Sequence, residues 1–215
     1  MKRGLFIVFE GPDRSGKSTQ AGLLSEWLRK NKNKVVLTRE PGGTWLSEKI
    51  RAILLDPKSK IEPLTELFLY ETSRVKHTLS IILPALKTGK VIISDRFTMS
   101  TTAYQGYGRA IPIRTVETLN RIATCGLKPD LTIVFNIPDR VFNERERLAQ
   151  KLSGPDRMER ESSKFRRKVN KAYKVLSRRP GVVRMNAARS IAEIHAELKN
   201  IISTRFGIIL NDHVL

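Results

Sequence analysis

Residues 11–18 have the composition and spacing of a loop that binds phosphate groups. Their sequence, GPDRSGKS, fits the pattern G-x-x-x-x-G-K-[ST], with an apolar run at residues 5–9 before it and an amphipathic helical pattern after it. The glycines let successive backbone N–H groups point inward, and the start of the helix adds a partial positive charge. We expect Lys17 to reach the β- and γ-phosphates of ATP, and the Ser18 hydroxyl to bind Mg²⁺. The loop residues expected to contact the nucleotide are Gly11, Pro12, Asp13, Arg14, Ser15, Gly16, Lys17, Ser18 and Thr19.

Polar residues that could bind a second phosphate follow two other apolar runs. The sequence TREPGGT occupies residues 38–44, and DRFTMSTTAYQG occupies residues 95–106. Because ligands of parallel sheets bind outside the carboxyl ends of the strands, we expect the phosphate loop, Arg39, Asp95 and Arg96 to border one crevice. Arginine suits such a site, since its planar guanidinium binds phosphate oxygens bidentately. An acceptor that already carries a phosphate needs alignment and charge neutralisation but no general base.

Short apolar runs alternate with helical patterns along the chain. The runs at residues 5–9, 35–37, 91–93, 131–135 and 182–185 predict strands buried on both faces. Between them lie apolar stripes at helical spacing, one of which consists of Phe68, Val75, Leu79 and Ile82. This alternation predicts a single α/β domain over residues 1–215, with a P-loop NTPase fold and a five-stranded parallel sheet covered by helices on both faces. Ser153, Gly154 and Pro155 predict a turn or a short mobile lid at about residues 147–158.

Positive charge dominates the composition. The formal net charge is +19, and residues 140–179 contain fourteen Lys and Arg against five Asp and Glu. Such a balance attracts polyanions, but no aromatic residues alternate with the basic ones, so the sequence favours a solvated basic surface around an enzyme with polyphosphate ligands. The single cysteine, Cys125, fits a reducing compartment, and no apolar run is long enough for a signal peptide core or a membrane span. We therefore expect a cytoplasmic protein that binds no membrane, with nucleic acid disfavoured as a partner.

The phosphate loop, TREPGGT and the pattern D-R-F-x-x-S-x-x-A-Y-Q-G together resemble the thymidylate kinases in their bacterial form. The resemblance extends over nearly the whole chain, from the phosphate loop to the lid. It implies a nucleoside-monophosphate-kinase-like domain that transfers the γ-phosphoryl group of ATP to dTMP, giving dTDP and ADP, with Mg²⁺ as the metal. It also implies a homodimer, because members of the family are commonly dimeric.

The resemblance assigns roles to residues around the acceptor phosphate and sugar. Asp13 matches the acidic residue that binds the 3′-hydroxyl, while Arg39 and Arg96 match arginines near the acceptor phosphate. Asp95 matches the carboxylate beside Mg²⁺, so the expected metal-binding residues are Ser18 and Asp95. Tyr104 matches the ring that crowds the 2′-position of the sugar and disfavours ribonucleotides.

The resemblance also implies which residues contact the two bases. Tyr70 matches the aromatic residue that stacks on thymine, Arg74 the arginine that hydrogen-bonds its O4, and Thr101 a residue at the thymine edge. Arg145 matches the residue that packs on adenine. Because Tyr70 and Arg74 are four residues apart on a predicted helix, they share a face, whereas His77 on the same helix is expected to be a surface residue without a partner. The complete set of expected acceptor-binding residues is Asp13, Arg39, Glu40, Tyr70, Arg74, Arg96, Ser100, Thr101, Tyr104 and Gln105.

The position of the catalytic arginine departs from the common bacterial pattern. Many bacterial members place this arginine in the lid, whereas here Arg14 lies inside the phosphate loop, and Arg147, Lys151 and Arg157 lie in or near the lid. Arg14 and the lid arginines therefore remain alternatives. Two further departures are Tyr70, where Phe is more usual, and Asn136, where Asp commonly ends the fourth strand. The expected catalytic residues are Lys17, Arg14, Arg96, Asp95 and Arg157.

Other reactions remain open from the sequence. A deoxynucleoside kinase shares the phosphate loop and uses a glutamate before a proline as a base that deprotonates the 5′-hydroxyl, and Glu40-Pro41 could be that pair. A nucleic-acid-dependent ATPase would explain the net charge of +19. A GTPase is disfavoured because the nearest approach to N-K-x-D, at residues 31–34, lacks the aspartate.

Overall fold

A five-stranded, wholly parallel sheet forms the centre of the protein. The computed structural model describes residues 3–150 and 154–207, without the side chains of residues 146, 149 and 150. The strands lie in the order β2-β3-β1-β4-β5, and their bounds are β1 (Phe6–Glu10), β2 (Val35–Arg39), β3 (Val91–Asp95), β4 (Leu131–Asn136) and β5 (Val182–Asn186).

Every predicted strand is present, and each ends one or two residues later than its apolar run. The additional residues are polar, namely Glu10, Thr38, Arg39, Ser94, Asp95, Asn136 and Asn186. The register places Asp95 opposite both Phe9 and Arg39. The carboxyl edge of the sheet is therefore lined by polar side chains that the hydrophobic pattern could not assign to strands, although their backbones belong to the ladder.

Helices cover both faces of the sheet, as predicted. In the described ranges they are α1 (Lys17–Lys30), α2 (Trp45–Leu55), α3 (Pro63–His77), α4 (Leu83–Lys87), α5 (Thr98–Thr101), α6 (Ile113–Ala123), α7 (Asp139–Gln150), α8 (Ser163–Leu176) and α9 (Ile191–Phe206). Two π-helical segments, Thr78–Ile82 and Thr102–Gly108, continue α3 and α5.

The core lies on both sides of β1, whose side chains alternate between two clusters. Ile7 and Phe9 pack against the buried side chains of α1 and α9. On the other face, Phe6 and Val8 pack against α4 and the π-helical segment Thr78–Ile82. Burial on both faces explains why the strand has an almost continuous apolar sequence.

The predicted apolar stripe of α3 does not face the core. Of its four members only Ile82 is buried, while Phe68 is 51% exposed and Val75 and Leu79 are also exposed. The buried side of α3 carries polar residues instead, including Glu66, Arg74 and His77. The helix is present as predicted, but it turns its polar face toward the interior.

Candidate active site

The backbone of residues 11–18 adopts the wide turn that a phosphate loop needs. Gly11 and Gly16 have φ values of 141° and 88°, in the region that favours glycine, and Gly16 is the N-cap residue just before α1. Lys17 is buried, and its Nζ donates to the carbonyl of Pro12 at 2.7 Å. Burial and the nearby Arg96 lower the pKa of Lys17 to about 8. The lysine is thus held inside the loop, close to where phosphates would bind.

A large cavity opens from this loop along the carboxyl edge of the sheet. Its volume is about 1210 Å³, and residues 13–21 form one wall. The opposite wall includes Arg145, Ala187 and Arg189, which lie near β5 and its following loop. Arg145 crosses between the two, donating to the carbonyls of Arg14 and Ala187. This shape accommodates a nucleotide whose phosphates lie in the loop and whose base reaches Arg145.

The expected metal ligands lie side by side at the floor of this cavity. The Ser18 hydroxyl donates to Oδ2 of Asp95, while Oδ1 of Asp95 is buried without a hydrogen-bond partner in the described part of the chain. The described residues contain no cluster of three or more His, Cys, Asp or Glu side chains that could hold a metal. A hydroxyl and one carboxylate fit Mg²⁺, which takes few protein ligands and binds phosphates and waters as well.

Arg96 links the phosphate loop to the predicted acceptor region. Its backbone has a φ of 74°, which is uncommon for a residue with a side chain. Its guanidinium donates to the carbonyl of Gly11 at 3.0 Å and to Oδ1 of Asp13 at 2.6 Å. Tyr104 donates to the other oxygen of Asp13 at 2.9 Å. Enclosure raises the pKa of Asp13, but Arg96, Lys17 and this hydrogen bond outweigh it and hold that pKa below its usual value.

A second, narrower cavity lies beside Arg96. Its volume is about 90 Å³, and it is lined by most of the residues that the sequence assigned to the acceptor: Asp13, Glu40, Tyr70, Arg74, Arg96, Ser100, Thr101, Tyr104 and Gln105. Arg39 is the exception, because it lines the larger cavity and forms an exposed ion pair with Glu48. Four residues, Asp13, Glu40, Arg51 and Arg96, border both cavities, so the two spaces meet at these side chains.

A buried polar network closes the far end of the smaller cavity. Arg74 is 2% exposed, and its Nε donates to Oε2 of Glu40 at 2.8 Å. Its four other N–H groups are directed at Glu71, Asn120, Thr101 and the carbonyl of Phe97. Burial raises the pKa of Glu40, but Arg74 and His77 outweigh it and keep that pKa below its usual value. All five donors of Arg74 thus have protein acceptors, which fixes the guanidinium at the wall of the cavity.

The prediction that His77 is an unpartnered surface residue is wrong. His77 is fully buried, with Nδ1 2.9 Å from Oε1 of Glu40 and Nε2 2.7 Å from Oγ1 of Thr38. Its partners come from β2 and the loop after it, about forty positions earlier in the chain, so spacing along α3 could not reveal them. His77 and Arg74 together occupy both carboxylate oxygens of Glu40.

Glu10 is a buried carboxylate whose role the sequence did not indicate. Its Oε1 accepts from the backbone N–H groups of Phe97 and Ser100, at 2.9 Å and 3.1 Å. Its Oε2 accepts from the hydroxyls of Ser100 and Tyr173. Burial raises the pKa of this carboxyl, against the lowering effect of these hydrogen bonds and of Arg96. Glu10 thereby fixes the turn that presents Arg96 and begins α5.

Arg14 and Arg157, two of the candidates for the catalytic arginine, occupy different places. Arg14, inside the phosphate loop, forms an ion pair of 2.5 Å with Glu159 and lines the larger cavity. Arg157 lines neither cavity, since its Nε donates to the carbonyl of Leu54 and a terminal nitrogen lies 2.7 Å from Glu66. The structure therefore does not bring Arg157 to the phosphate loop. Residues 151–153, which include Lys151, lie outside the described residues.

Arg51 is a second site residue that sequence reasoning missed. It lies on α2, borders both cavities, and donates to the carbonyl of Pro41 at 3.0 Å. Burial and Arg39 lower its pKa from the usual arginine value. Its only signal in the sequence was one basic residue within an ordinary amphipathic helix.

A phosphate loop opening into a nucleotide-sized cavity, next to a second cavity that meets it at Arg96 and Asp13, defines a P-loop phosphotransferase acting on a small anionic acceptor. The thymidylate kinase family model matches residues 9–198. The chain therefore belongs to the thymidylate kinase family, as the sequence motifs predicted.

Individual relatives agree with this assignment. The chain is 44% identical to the thymidylate kinase of Gloeobacter violaceus over 194 residues, covering 90% of this chain and 91% of that protein. It is 48% identical to the enzyme of Pelotomaculum thermopropionicum over 178 residues, covering 82% of each. The crystal structure of thymidylate kinase from Ehrlichia chaffeensis superposes with a TM-score of 0.75 at 31% identity, covering 94% of this chain and 99% of that chain. This neighbour confirms the predicted α/β fold with its parallel sheet.

Proposed function

We propose that this protein phosphorylates dTMP to dTDP with ATP as the donor, a step in the synthesis of dTTP. The observation that carries the proposal is the meeting of two cavities at Asp13 and Arg96. ATP would occupy the larger cavity, with its phosphates in the loop of residues 11–18. The nucleoside of dTMP would occupy the smaller cavity, with its phosphate directed toward Arg96 and the loop.

The environment of Glu40 favours an acceptor that already carries a phosphate over an alcohol. Glu40, the base that a deoxynucleoside kinase would require, accepts hydrogen bonds on both oxygens from Arg74 and His77. Its depressed pKa makes it a weak proton acceptor. A phosphate monoester is anionic and nucleophilic without such help. The hydrogen bonds that engage both oxygens of Glu40 therefore favour dTMP over thymidine as the acceptor.

Transfer in this site depends on alignment and charge neutralisation. Lys17 and Arg14 would neutralise the donor phosphates, and Arg96, supported by Arg51, would hold the acceptor phosphate. Ser18 and Asp95 would hold Mg²⁺, which supplies charge compensation to the donor phosphates when it is bound. Tyr104, held by its hydrogen bond to Asp13, would exclude a 2′-hydroxyl from the sugar site.

Thymine recognition would fall to the residues around the buried network. Tyr70 and Arg74 border the smaller cavity together with Thr101 and Gln105. Because every N–H group of Arg74 already has a protein acceptor, a hydrogen bond to thymine O4 would have to share or replace one of these contacts. The nitrogen Nη2 of Arg74 donates to Thr101 and to the carbonyl of Phe97. Thymine O4 would share this nitrogen with them or replace one of them.

The exposed apolar stripe of α3 supports a homodimer. Leu64, Phe68, Val75 and Leu79 are all exposed and lie at helical spacing, so they form one apolar strip on a monomer. A second copy of the chain, packing the same strip against its own, would bury these side chains in a symmetric interface.

The setting proposed for this reaction is the cytoplasm. The lone Cys125 fits a reducing compartment. No helix in residues 3–150 or 154–207 has the length and apolar composition needed to cross a membrane.

The reaction can be tested by measuring both products at once. Incubation with ATP, Mg²⁺ and dTMP should yield dTDP and ADP in equal amounts, and the rate should fall to background when EDTA is added. A parallel sample without dTMP provides the control for hydrolysis. ADP released without dTDP would mean that the protein is an ATPase and that the proposal is wrong.

A further inference from the structure

The outer face of α8 is a row of positive charges that the kinase reaction does not use. The helix contains six Lys and Arg residues and no acidic residue. The α8 stripe is defined here as its exposed members with the arginine just beyond the helix: Lys164, Arg167, Lys168, Lys171, Lys174 and Arg178. Successive members lie three or four positions apart, apart from the adjacent pair Arg167 and Lys168, so they share one side of the helix.

No member of the α8 stripe forms an ion pair with another described residue. Other exposed arginines of the protein do have carboxylate partners, such as Arg39 with Glu48 and Arg179 with Glu117. Like charges on neighbouring turns repel one another, so the stripe costs the free monomer stability. A surface that served only to keep the protein soluble could include acidic residues without loss of solubility.

The stripe cannot be explained by the nucleotide ligands. None of its six residues lines the cavities that take the donor and the acceptor, as far as the described residues define them. The opposite side of α8, with Phe165, Val169 and Tyr173, is buried in the core, so the helix cannot turn the cations toward the phosphate loop. The stripe is therefore an exposed basic surface whose six charges lie outside the polyphosphate site.

The geometry of the stripe fits the backbone of a nucleic acid duplex. Six cations distributed over about four helical turns span roughly 20 Å. A duplex carries one phosphate charge per about 1.7 Å of its axis, so a stripe of this length faces several phosphates at once. Val175 is the one exposed large apolar side chain of α8. The stripe thus lacks the aromatic residues that stack on single-stranded bases and the apolar residues that insert into lipid.

We infer that the α8 stripe docks this kinase on the phosphate backbone of double-stranded nucleic acid, without sequence preference. The net charge of +19 would speed the encounter. Because the stripe and the cavities lie on different surfaces, the docked enzyme keeps its nucleotide site accessible. Docking would then place dTDP production beside the polymer and would not require the polymer for catalysis.

Fluorescence anisotropy with a labelled 24-base-pair duplex, at salt concentrations of about 50–200 mM, tests this inference. Four to six phosphate contacts predict that log K falls with log salt with a slope of about −4 to −5. The variant Lys164→Gln/Lys168→Gln/Lys171→Gln/Lys174→Gln should bind at least about 30-fold more weakly at 100 mM salt, with a slope smaller by about 3. Its kcat for dTMP should match that of the wild type.

A matched variant separates the stripe from overall charge. Lys30→Gln/Lys32→Gln/Lys34→Gln/Lys87→Gln removes the same charge from exposed lysines in the segments that lead into β2 and β3, whereas the α8 stripe precedes β5 at the other edge of the sheet. This variant should weaken binding less than about threefold. Unfolding temperatures of both variants within a few degrees of the wild type would show that each is folded.

Four results would overturn the inference. The first is equal weakening by the two variants, which would make binding a matter of net charge alone. The second is the absence of measurable wild-type binding to the duplex at 100 mM salt. The third is tighter binding, through the same four lysines, to vesicles containing phosphatidylserine than to the duplex, which would make α8 a membrane surface. Duplex DNA that raised ATP hydrolysis without dTMP would count against docking that leaves catalysis unchanged.

Discussion

At the scale of single residues, the site consists of arginines and a lysine held by protein acceptors before any phosphate arrives. Arg96 and Arg74 are fixed by several hydrogen bonds each, and Lys17 by the carbonyl of Pro12. Such prior fixation means that little reorganisation is needed when charge develops in the transition state. Arg14 differs from them because its ion-pair partner, Glu159, comes from the segment after the lid.

Arg14 is expected to be the main catalytic arginine. An arginine that neutralises charge during phosphoryl transfer contributes roughly 10³-fold or more to kcat. We expect Arg14→Ala to lower kcat by about that factor, equivalent to about 4 kcal/mol, with little change in the KM for ATP. Arg157→Ala should cost less, since its guanidinium binds Leu54 and Glu66 away from the loop.

Steady-state kinetics on the two variants decide between these roles. If Arg14 serves only its ion pair with Glu159, its loss should reduce kcat less than tenfold. A larger loss in Arg157→Ala than in Arg14→Ala would place the catalytic arginine in the lid region.

The lowered pKa of Lys17 predicts a pH-dependent affinity for ATP. In the free enzyme this pKa is about 8, so the lysine loses its charge above that pH, whereas bound phosphates favour the charged form. Affinity for a non-hydrolysable ATP analogue should therefore fall as pH rises above about 8, by up to roughly tenfold per unit. Calorimetry at pH 8.5 in buffers of different ionisation enthalpy should show proton uptake on binding. In Lys17→Met both effects should disappear, and a wild-type affinity that stays constant to pH 9.5 would contradict the argument.

The same lysine affects stability with a defined sign. Its folded pKa lies below the unfolded value, so between about pH 8 and 10.5 the unfolded chain binds more protons at this site. Burial of the charged lysine therefore destabilises the folded protein at neutral pH. This destabilisation becomes smaller as pH rises through the window.

Tyr104 is expected to select deoxyribose by crowding the 2′-position. Tyr104→Ala should reduce the preference for dTMP over the ribonucleotide TMP by more than it reduces kcat/KM for dTMP. Tyr104→Phe is the matched control, because it keeps the ring and removes only the hydroxyl, which bonds Asp13 and Arg96, so it should retain the preference. If Tyr104→Ala leaves the ratio of kcat/KM for the two nucleotides unchanged, the ring only packs.

At the scale of elements, the sequence predicted where the strands and helices lie better than which side of each helix is buried. The five strands were recognisable because both faces of the sheet are covered, so that β1 has apolar residues on one face, Ile7 and Phe9, and on the other, Phe6 and Val8. The α3 helix was recognisable too, but its apolar stripe faces outward, because Glu66, Arg74 and His77 on its other side bind polar partners elsewhere in the fold. Periodicity identifies an apolar side without revealing what covers it.

The same reasoning explains which site residues could be found. The phosphate loop and the segments at residues 38–44 and 95–106 are local motifs, so their side chains were identified together. Glu10 binds the backbone of Phe97, which lies 87 positions later in the chain. Arg51 binds the carbonyl of Pro41, which lies in the loop before its helix. No local sequence pattern marks either residue. Residues of this kind become visible only when the fold brings the loops together.

The stripe on α3 predicts that an apolar-to-charged substitution separates the proposed dimer. Phe68→Glu should convert the protein to a monomer in light scattering coupled to size exclusion, because a buried, unpaired charge opposes association. Val175→Glu provides a control, since Val175 is a similarly exposed apolar residue on α8. A wild-type protein that is monomeric at micromolar concentration, or a Phe68→Glu variant that remains a dimer, would contradict the proposed interface.

At the scale of the whole molecule, one sheet edge organises the entire reaction. The carboxyl ends of β1, β2 and β3 present Glu10, Arg39 and Asp95 beside the loop that starts α1. The two cavities meet at Arg96, so in the proposed reaction the donor and acceptor phosphates would approach the same few cations. The excess positive charge is concentrated elsewhere, on the outer face of α8, which separates catalysis from the proposed docking.

The central claim is that the acceptor carries its own phosphate, and one comparison tests it most directly. The ratio of kcat/KM for dTMP to that for thymidine should be measured with saturating ATP and Mg²⁺ in a single preparation. Since both oxygens of Glu40 are held by Arg74 and His77, and Arg96 is proposed to bind the acceptor phosphate, the ratio should exceed about 10³. A ratio below one would mean that Glu40 acts as a base on an alcohol and that the protein is a deoxynucleoside kinase.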